Sequence, residues 1–419
     1  MTVRIKIHRG TQQIGGSITE IATSQHRIFI DFGAALPGTS SKITDNQMLS
    51  MLTDTKCDGI FFSHYHGDHT GLIQQIPDGI PLYIGNTARQ ILYNIKKALH
   101  DETGAARLQS DDLKTISAAQ PIYIGDITVT PYFVDHSAAE AYMFVIEAEG
   151  KRILYMGDFR THGRLGKGLF QLLPRIFPTG HPADVLITEG TMIGRTTSSY
   201  PLLSERMLLQ QATTLLSKYR YTFLICSSTN FDTLASFHTA AKRNNIPMIA
   251  NSYICNQCQV FSKNLGQRQA LYNFDKLYPW QPYSPAILPN ELTQTEHIRK
   301  HGFVFIVAPK TSYRAYMEQF RDLNPLLVYS LWDGFLDEKH PAFQTELAAF
   351  IKDWPNCHLH TSGHADKASI AKIIQLTRPQ KAIFPIHTEM GYEFYNLPIG
   401  NFRNSIHLLH DGEEYVLDG

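Results

Sequence analysis

The stretch Gly59-Ile60-Phe61-Phe62-Ser63-His64-Tyr65-His66-Gly67-Asp68-His69 decides how this chain is read. Its first half is a short apolar run of the kind that forms a buried strand. Directly after it, three imidazoles and a carboxylate (His64, His66, Asp68 and His69) fall within six residues. These are the ligand types that zinc and similar divalent ions take, and a tight turn at a strand end aims such side chains from two sides into one small volume. The competing reading is a solvated turn rich in histidine, and 19 His in the chain make isolated coincidences common. The ordered His-x-His-x-Asp-His pattern sets this stretch apart.

Two further apolar runs end in residues of the same chemistry. TPYFVDH closes at His136, and RILYMGD closes at Asp158. Alone, each is as readily a cap or a turn residue. With the cluster, they supply a further imidazole and a carboxylate able to bridge two cations about 3.5–4 Å apart. Upstream, the runs VRIKI, SITEIA and HRIFID predict a meander of three strands, the last ending at Asp31 just before Gly33.

The bulk numbers bound the function. The 419 residues include 38 Lys plus Arg against 38 Asp plus Glu, so no global field draws in a polyanion. Any such attraction must come from a local basic surface or from bound cations. Five cysteines at irregular spacing (Cys57, Cys226, Cys255, Cys258 and Cys357) do not form a disulfide framework, which points to a reducing, cytoplasmic setting. The start alternates like a strand rather than a signal peptide, and no run of about 18 apolar residues predicts a membrane span.

Beyond Glu189 the chain changes character, passing through RTTSSYP into a helix predicted from about Pro201 to Tyr219, with Leu208, Leu209, Ala212, Leu215 and Leu216 on one face. Strand TFLIC, helix FDTLASFHTAAKR, strand PMIA, a Pro- and Tyr-rich segment to about Asn290, and strands FVFIVA and LLVYS follow. This alternation predicts a second α/β unit with a parallel sheet. The expected division is 1–195 for a first domain, 196–355 for an insertion, and 356–419 for a return to the first domain.

The pattern HxHxDH, a strand-end His136 and the pair Gly157-Asp158 resembles the metallo-β-lactamase superfamily. The resemblance implies an αββα sandwich with two ions at one edge of its sheets. By it, His64, His66 and His136 would hold one zinc, Asp68 and His69 the second, and Asp158 would stand between. Asp31 fits the family's first structural Asp. Glu189 before the insertion, His364 in Ser362-Gly363-His364-Ala365 after it, and His387 at the end of KAIFPIH resemble the β-CASP nucleases, nearest the ribonuclease J type. The implied partner is RNA, since His387 is typical of RNA-cutting members. The implied reaction is attack on phosphorus by a hydroxide shared by two zinc ions, with manganese as the alternative metal. His387 would complete the second site, and Asp68, Glu189 and His364 would serve catalysis, His364 as proton donor to the leaving 3′ oxygen. Products would carry a 5′-phosphate and a 3′-hydroxyl.

Three departures from the family pattern stand out. Thr388 replaces a frequent Gly, Asp366 a frequent Ser, and the chain stops 32 residues after His387, short of the ribonuclease J assembly domain, which leaves a homodimer open. For the substrate, Arg160, Arg164 and Lys167 in the loop after Asp158 are candidates to track the RNA backbone, against a plain solvated loop. Ser227, Ser228 and Thr229, with Ser362, are candidates to hold phosphate, against simple helix capping. Cys255 and Cys258 form a lone CxxC and read as packing, as does LYNFDKLYPWQPY, whose alternative is base stacking. The rival functions are hydrolysis of a thioester or lactone, DNA cleavage, and a non-catalytic RNA-binding scaffold.

Overall fold

Strand periodicity carries directly into the architecture. In the computed structural model, residues 2–36, 39, 43–195, 202–282 and 293–418 are described. Residues 196–201 of the polar stretch, with Pro201, and residues 283–290 of the Pro- and Tyr-rich segment, with Tyr283 and Asn290, lie outside them. The strands are β1 (Val3–Arg9), β2 (Ile18–Ala22), β3 (Arg27–Ile30), β4 (Gly59–Phe61), β5 (Leu82–Gly85), β6 (Leu113–Ile116), β7 (Ile122–Ile124), β8 (Ile127–Phe133), β9 (Tyr142–Ala148), β10 (Lys151–Tyr155) and β11 (Val185–Glu189). After them come β12 (Tyr221–Cys226), β13 (Met248–Ala250), β14 (Leu277–Pro279), β15 (Phe303–Ile306), β16 (Leu326–Ser330), β17 (Asn356–His358), β18 (Ala382–Ile386) and β19 (Glu414–Leu417).

Contacts divide the chain into two units, residues 1–201 with 363–419, and residues 202–362. The first unit holds a sheet ordered β19-β1-β2-β3-β4-β5-β6 and a second ordered β18-β11-β10-β9-β8-β7. Side-chain alternation explains their packing. Ile153 and Tyr155 of β10 face the first sheet, joining Ile5, Ile28, Ile30, Phe61, Phe144 and Ile187 in one core. Leu154 and Met156 face the other way, onto Leu169 and Leu173 of the helix Gly166–Ile176 and Ile370, Ile373 and Ile374 of the helix Lys367–Thr377. Helices Asp45–Asp54 and Asn86–Ala98 bury Met48, Leu52, Ile91 and Leu92. The result is the αββα sandwich, with each fully buried Ile, Leu or Phe contributing roughly 1.5–3 kcal/mol.

Strand direction then positions the chemistry. β3 and β4 run parallel, as do β10, β11 and β18. β8 and β10 are both antiparallel to β9 and so share a direction. Glu189 is the last residue of β11, and Asp31, His64, His136, Asp158 and His387 each follow the carboxyl end of one of these strands. In layered α/β folds that end is where ligands bind.

The second unit is one sheet ordered β14-β13-β15-β12-β16-β17. Its five pairings are all parallel. Its own core includes Phe223, Phe303, Phe305, Leu327, Phe350 and Trp354. Two boundaries move relative to expectation. The first helix starts at Glu205, because Ser204 accepts a hydrogen bond from the Met207 amide and caps it. The return to the first unit starts at Gly363 rather than at 356, because Asn356–His358 pairs with β16 and extends the inserted sheet. Cys255 and Cys258 sit in the helix Ser252–Asn264 as free thiols, Cys258 fully buried. Trp280 stacks on Tyr313 within the core of this unit. Among the described residues, no helix is long and apolar enough to cross a membrane.

Candidate metal centre

The turn after β4 brings its imidazoles together with groups from distant strands. His66 Nδ1 lies 3.1 Å from His64 Nε2 and 3.3 Å from His136 Nε2. Beside this trio, Asp158 Oδ2 lies 3.3 Å from His69 Nε2, 3.7 Å from His387 Nε2 and 3.9 Å from His64 Nε2. Asp68 Oδ2 lies 3.1 Å from His387 Nε2. Ligand-type atoms of His64, His66 and His136 fall within 4.8 Å of one another, as do those of Asp68, His69 and His387, with Asp158 in contact with both sets. All of these residues belong to the first unit.

Four of the five imidazoles in these sets are held by one ring nitrogen and offer the other. His136 Nδ1 donates to the Gly363 carbonyl at 2.6 Å, and His69 Nδ1 to Asp31 Oδ2 at 2.8 Å. His64 Nδ1 meets the Ser63 hydroxyl at 3.0 Å, which in turn donates to Asp31 Oδ2 at 2.8 Å. His387 Nδ1 meets the Thr191 hydroxyl at 2.7 Å. Partners of this kind fix the ring and the tautomer of metal-binding histidines. Asp31 also accepts from the Ser63 amide and the Tyr155 hydroxyl.

The charge states suit cations. Burial, with the neighbouring histidines, pushes His64 and His136 well below the ordinary imidazole value, and burial lowers His66 to about 4. The trio is therefore neutral, as ligands must be. Burial opposes ionisation of Asp68 and Asp158, yet the facing histidines outweigh it and hold both below the usual carboxylate range. Burial likewise opposes a charged His69, but Asp158, Asp31 and Asp68 hold it well above its ordinary value. His69 Nε2 is buried and makes no hydrogen bond. A divalent cation there would take the place of a proton among the carboxylates, so the donor set fits a metal.

Glu189 and His364 stand beside this set. Glu189 is fully buried and accepts from the backbone amides of Phe159, Thr191 and Ala365. Its oxygens lie 3.1 Å and 3.2 Å from His364 Nδ1. Burial lowers the His364 pKa, but Glu189 and Asp158 more than offset it, so the ring stays above the ordinary value. His364 keeps 23% side-chain exposure, unlike its neighbours. Ligand-type atoms of Asp158, Glu189, His364 and His387 form one more close group.

Other candidates are placed differently. Arg160 does not reach out to a polyanion: it is fully buried, and its Nε donates to Asp135 at 2.6 Å where the two residues form a β-bridge. Asp135 also accepts from the Gly166 amide, so this carboxylate closes the loop that Arg160 begins. Arg164 is half-buried and Lys167 exposed. Ser227, Ser228 and Thr229 form the turn between β12 and the helix Phe231–Arg243 in the second unit, and Asn230 rather than any of them caps that helix. Ser362 is the last residue of that unit. Asp366 caps the helix Lys367–Thr377, accepting from the Ser369 amide at 2.7 Å. Sequence reasoning passed over Thr191, Ser63 and Tyr155, although Tyr155 carries a signal, a phenol on an otherwise apolar inward face.

Parts of the chain are similar to known proteins. Residues 26–220 match the beta-lactamase superfamily domain, and residues 357–391 match a Zn-dependent metallo-hydrolase RNA specificity domain. A ribonuclease J of Helicobacter pylori is 28% identical over 171 residues, 38% of this chain and 23% of that protein. An RNase J-like protein of Methanocaldococcus jannaschii is 26% identical over 196 residues, 45% of this chain and 42% of that protein. An endoribonuclease ysh1 of Emericella nidulans is 27% identical over 188 residues, 38% of this chain and 20% of that protein. Each match thus spans less than half of the relative. A crystal structure of a protein of unknown function from Enterococcus faecalis V583 superposes with a TM-score of 0.74 at 20% identity, covering 100% of both chains. With an αββα sandwich, an α/β unit inserted after Glu189 and a return segment matching the RNA specificity domain, the chain is similar to the metallo-β-lactamase superfamily and, within it, to ribonuclease J-like proteins of the β-CASP branch.

Proposed function

We propose that this chain is a two-cation phosphodiesterase that cleaves RNA and leaves a 5′-phosphate and a 3′-hydroxyl. The observation that carries it is the trio His64, His66 and His136 set against the group Asp68, His69 and His387, with Asp158 in contact with both. The match of residues 357–391 to an RNA specificity domain supports RNA as substrate. Zinc suits a donor set of imidazoles and carboxylates, and manganese is the alternative.

Two such cations supply a nucleophile from water at neutral pH and neutralise charge on the non-bridging phosphoryl oxygens. The protein's own groups do the rest. Asp158, held ionised, keeps the two halves of the centre at a fixed separation. Glu189 fixes the His364 ring through Nδ1 and favours its protonated form, from which Nε2 would donate to the departing 3′ oxygen. Arg164 serves a flanking phosphate in this reading; Arg160, buried against Asp135, does not.

The test supplies purified protein containing zinc or manganese with 5′-monophosphorylated and 5′-triphosphorylated RNA, the matching DNA and a thioester. RNA is expected to be cut, with Asp68→Ala inactive through loss of metal. His364→Ala should keep its metal and lose about 10²–10⁴ in kcat. Turnover of the thioester alone, or of DNA in preference to RNA, would overturn the assignment.

A further inference from the structure

Arg9 is among the largest fully buried side chains of the protein, at 1% exposure. A guanidinium so placed is destabilising unless its donors meet acceptors. Its Nε donates to the Gly16 carbonyl at 2.9 Å, one terminal nitrogen donates to Asp45 Oδ1 at 2.7 Å, and the other to the Gly33 carbonyl. Asp45 alone would not require this burial, because its own side chain is 38% exposed. The two glycine carbonyls are what draw the side chain inward.

Those carbonyls belong to the two loops that grip the backbone of Asp68. The Ser17 amide donates to the Asp68 carbonyl at 2.9 Å, the Ala34 amide to the Gly67 carbonyl at 3.1 Å, and the Phe32 amide to the His69 carbonyl at 2.8 Å. The Gly33 amide donates to Ser17 at 3.1 Å and joins the loops. Next to Arg9, the Gly10 carbonyl accepts the His387 amide at 2.7 Å. His387 has φ +52, a conformation unusual for a residue with a Cβ, so its backbone depends on such a partner. Space along this path is minimal. A Cβ on Gly15 would lie 2.8 Å from Asp68 Oδ2, and one on Gly16 would lie 2.8 Å from Arg9 Nε. The Gly15-Gly16 turn, with φ +77 and +66, is a thin plate between the guanidinium and the carboxylate.

We infer that Arg9 is a positioning residue for the Asp68, His69 and His387 half of the centre, setting affinity for the second cation and not for the first. The inference rests on the two-cation reading. His64 and His136 are held by Ser63 and Gly363, neither of which Arg9 touches, so Arg9 reaches the first site only indirectly, through the Asp31–Gly33 loop.

Calorimetric titration of the metal-free protein with Zn²⁺, and electron paramagnetic resonance with Mn²⁺, read the two sites without any catalysis. The parent should take up two equivalents, with Mn²⁺ giving a spin-coupled pair. Arg9→Met should bind the first equivalent within about threefold of the parent, and the second at least about tenfold more weakly, with the coupled signal lost at equal loading. Arg9→Lys keeps a charge for Asp45 but cannot serve both carbonyls, and should fall between. Should Arg9→Met not fold, Arg9→Lys carries the test alone, since it retains the charge and gives up a carbonyl contact. An undiminished second equivalent in these variants overturns the inference. So does equal weakening of both equivalents together with a lower melting temperature, which marks a purely structural role. A parent that takes up a single equivalent overturns the two-cation reading itself, before any variant is made.

Discussion

At the residue scale, the centre is a set of five rings, four of them fixed through one nitrogen by a polar neighbour. Thr191 illustrates how much rests on such a neighbour, since its hydroxyl is the partner of His387 Nδ1. Thr191→Val keeps the shape and removes the hydroxyl. It should weaken metal binding about 10–100-fold with an unchanged circular dichroism spectrum; equal affinity in the two proteins would show that His387 needs no anchor. The proposed ligands could be picked out in the sequence because one ordered cluster follows an apolar run and further His and Asp residues close other such runs, although alone each of these reads as well as a cap or turn. Their anchors could not be. Thr191 and Ser63 are ordinary hydroxyls until the fold sets them beside an imidazole, and Asp31 stood out only through the family pattern.

At the element scale, strand ends were readable and loops were not. Arg160 follows Asp158 by two residues, and proximity in the chain suggested exposure beside the metals. Instead the loop turns back to bridge Asp135, a contact no local pattern encodes. The helix Phe231–Arg243 gives a different case. His238 lies in its middle, buried to 1% exposure, with Nε2 accepting from the Lys276 amide at 3.4 Å. Burial lowers its pKa from 6.5 to about 4. As pH falls from 6.5 towards 4, the unfolded chain takes up a proton that the folded chain refuses. Stability present above pH 6.5 is therefore lost across that window, by up to roughly 3 kcal/mol for this group, and not further below it. Urea midpoints of His238→Gln should fall less steeply than those of the parent between these pH values. Parallel profiles would show that the helix tolerates the charged ring.

At the scale of the whole molecule, two units with separate cores share one chain. All the proposed metal ligands belong to the first, so chelation should act on it alone. Calorimetry with and without a chelator should lower one unfolding transition by the equivalent of about 4 kcal/mol for metal at a thousand times its dissociation constant, and leave the other in place. A single transition moving as a whole would show that the units unfold together. The inserted parallel sheet was legible from its alternating strands and helices, whereas its far edge at β17 was not, because three residues carry too little pattern. That insertion also separates His69 from His364 and His387 in the chain. During synthesis, about 300 residues must leave the ribosome after the histidine turn before the last groups arrive, some 15–60 s at ordinary elongation rates. On the proposed two-cation reading, a nascent or prematurely ended polypeptide would therefore hold the histidine turn without His364 and His387, and so without a complete centre.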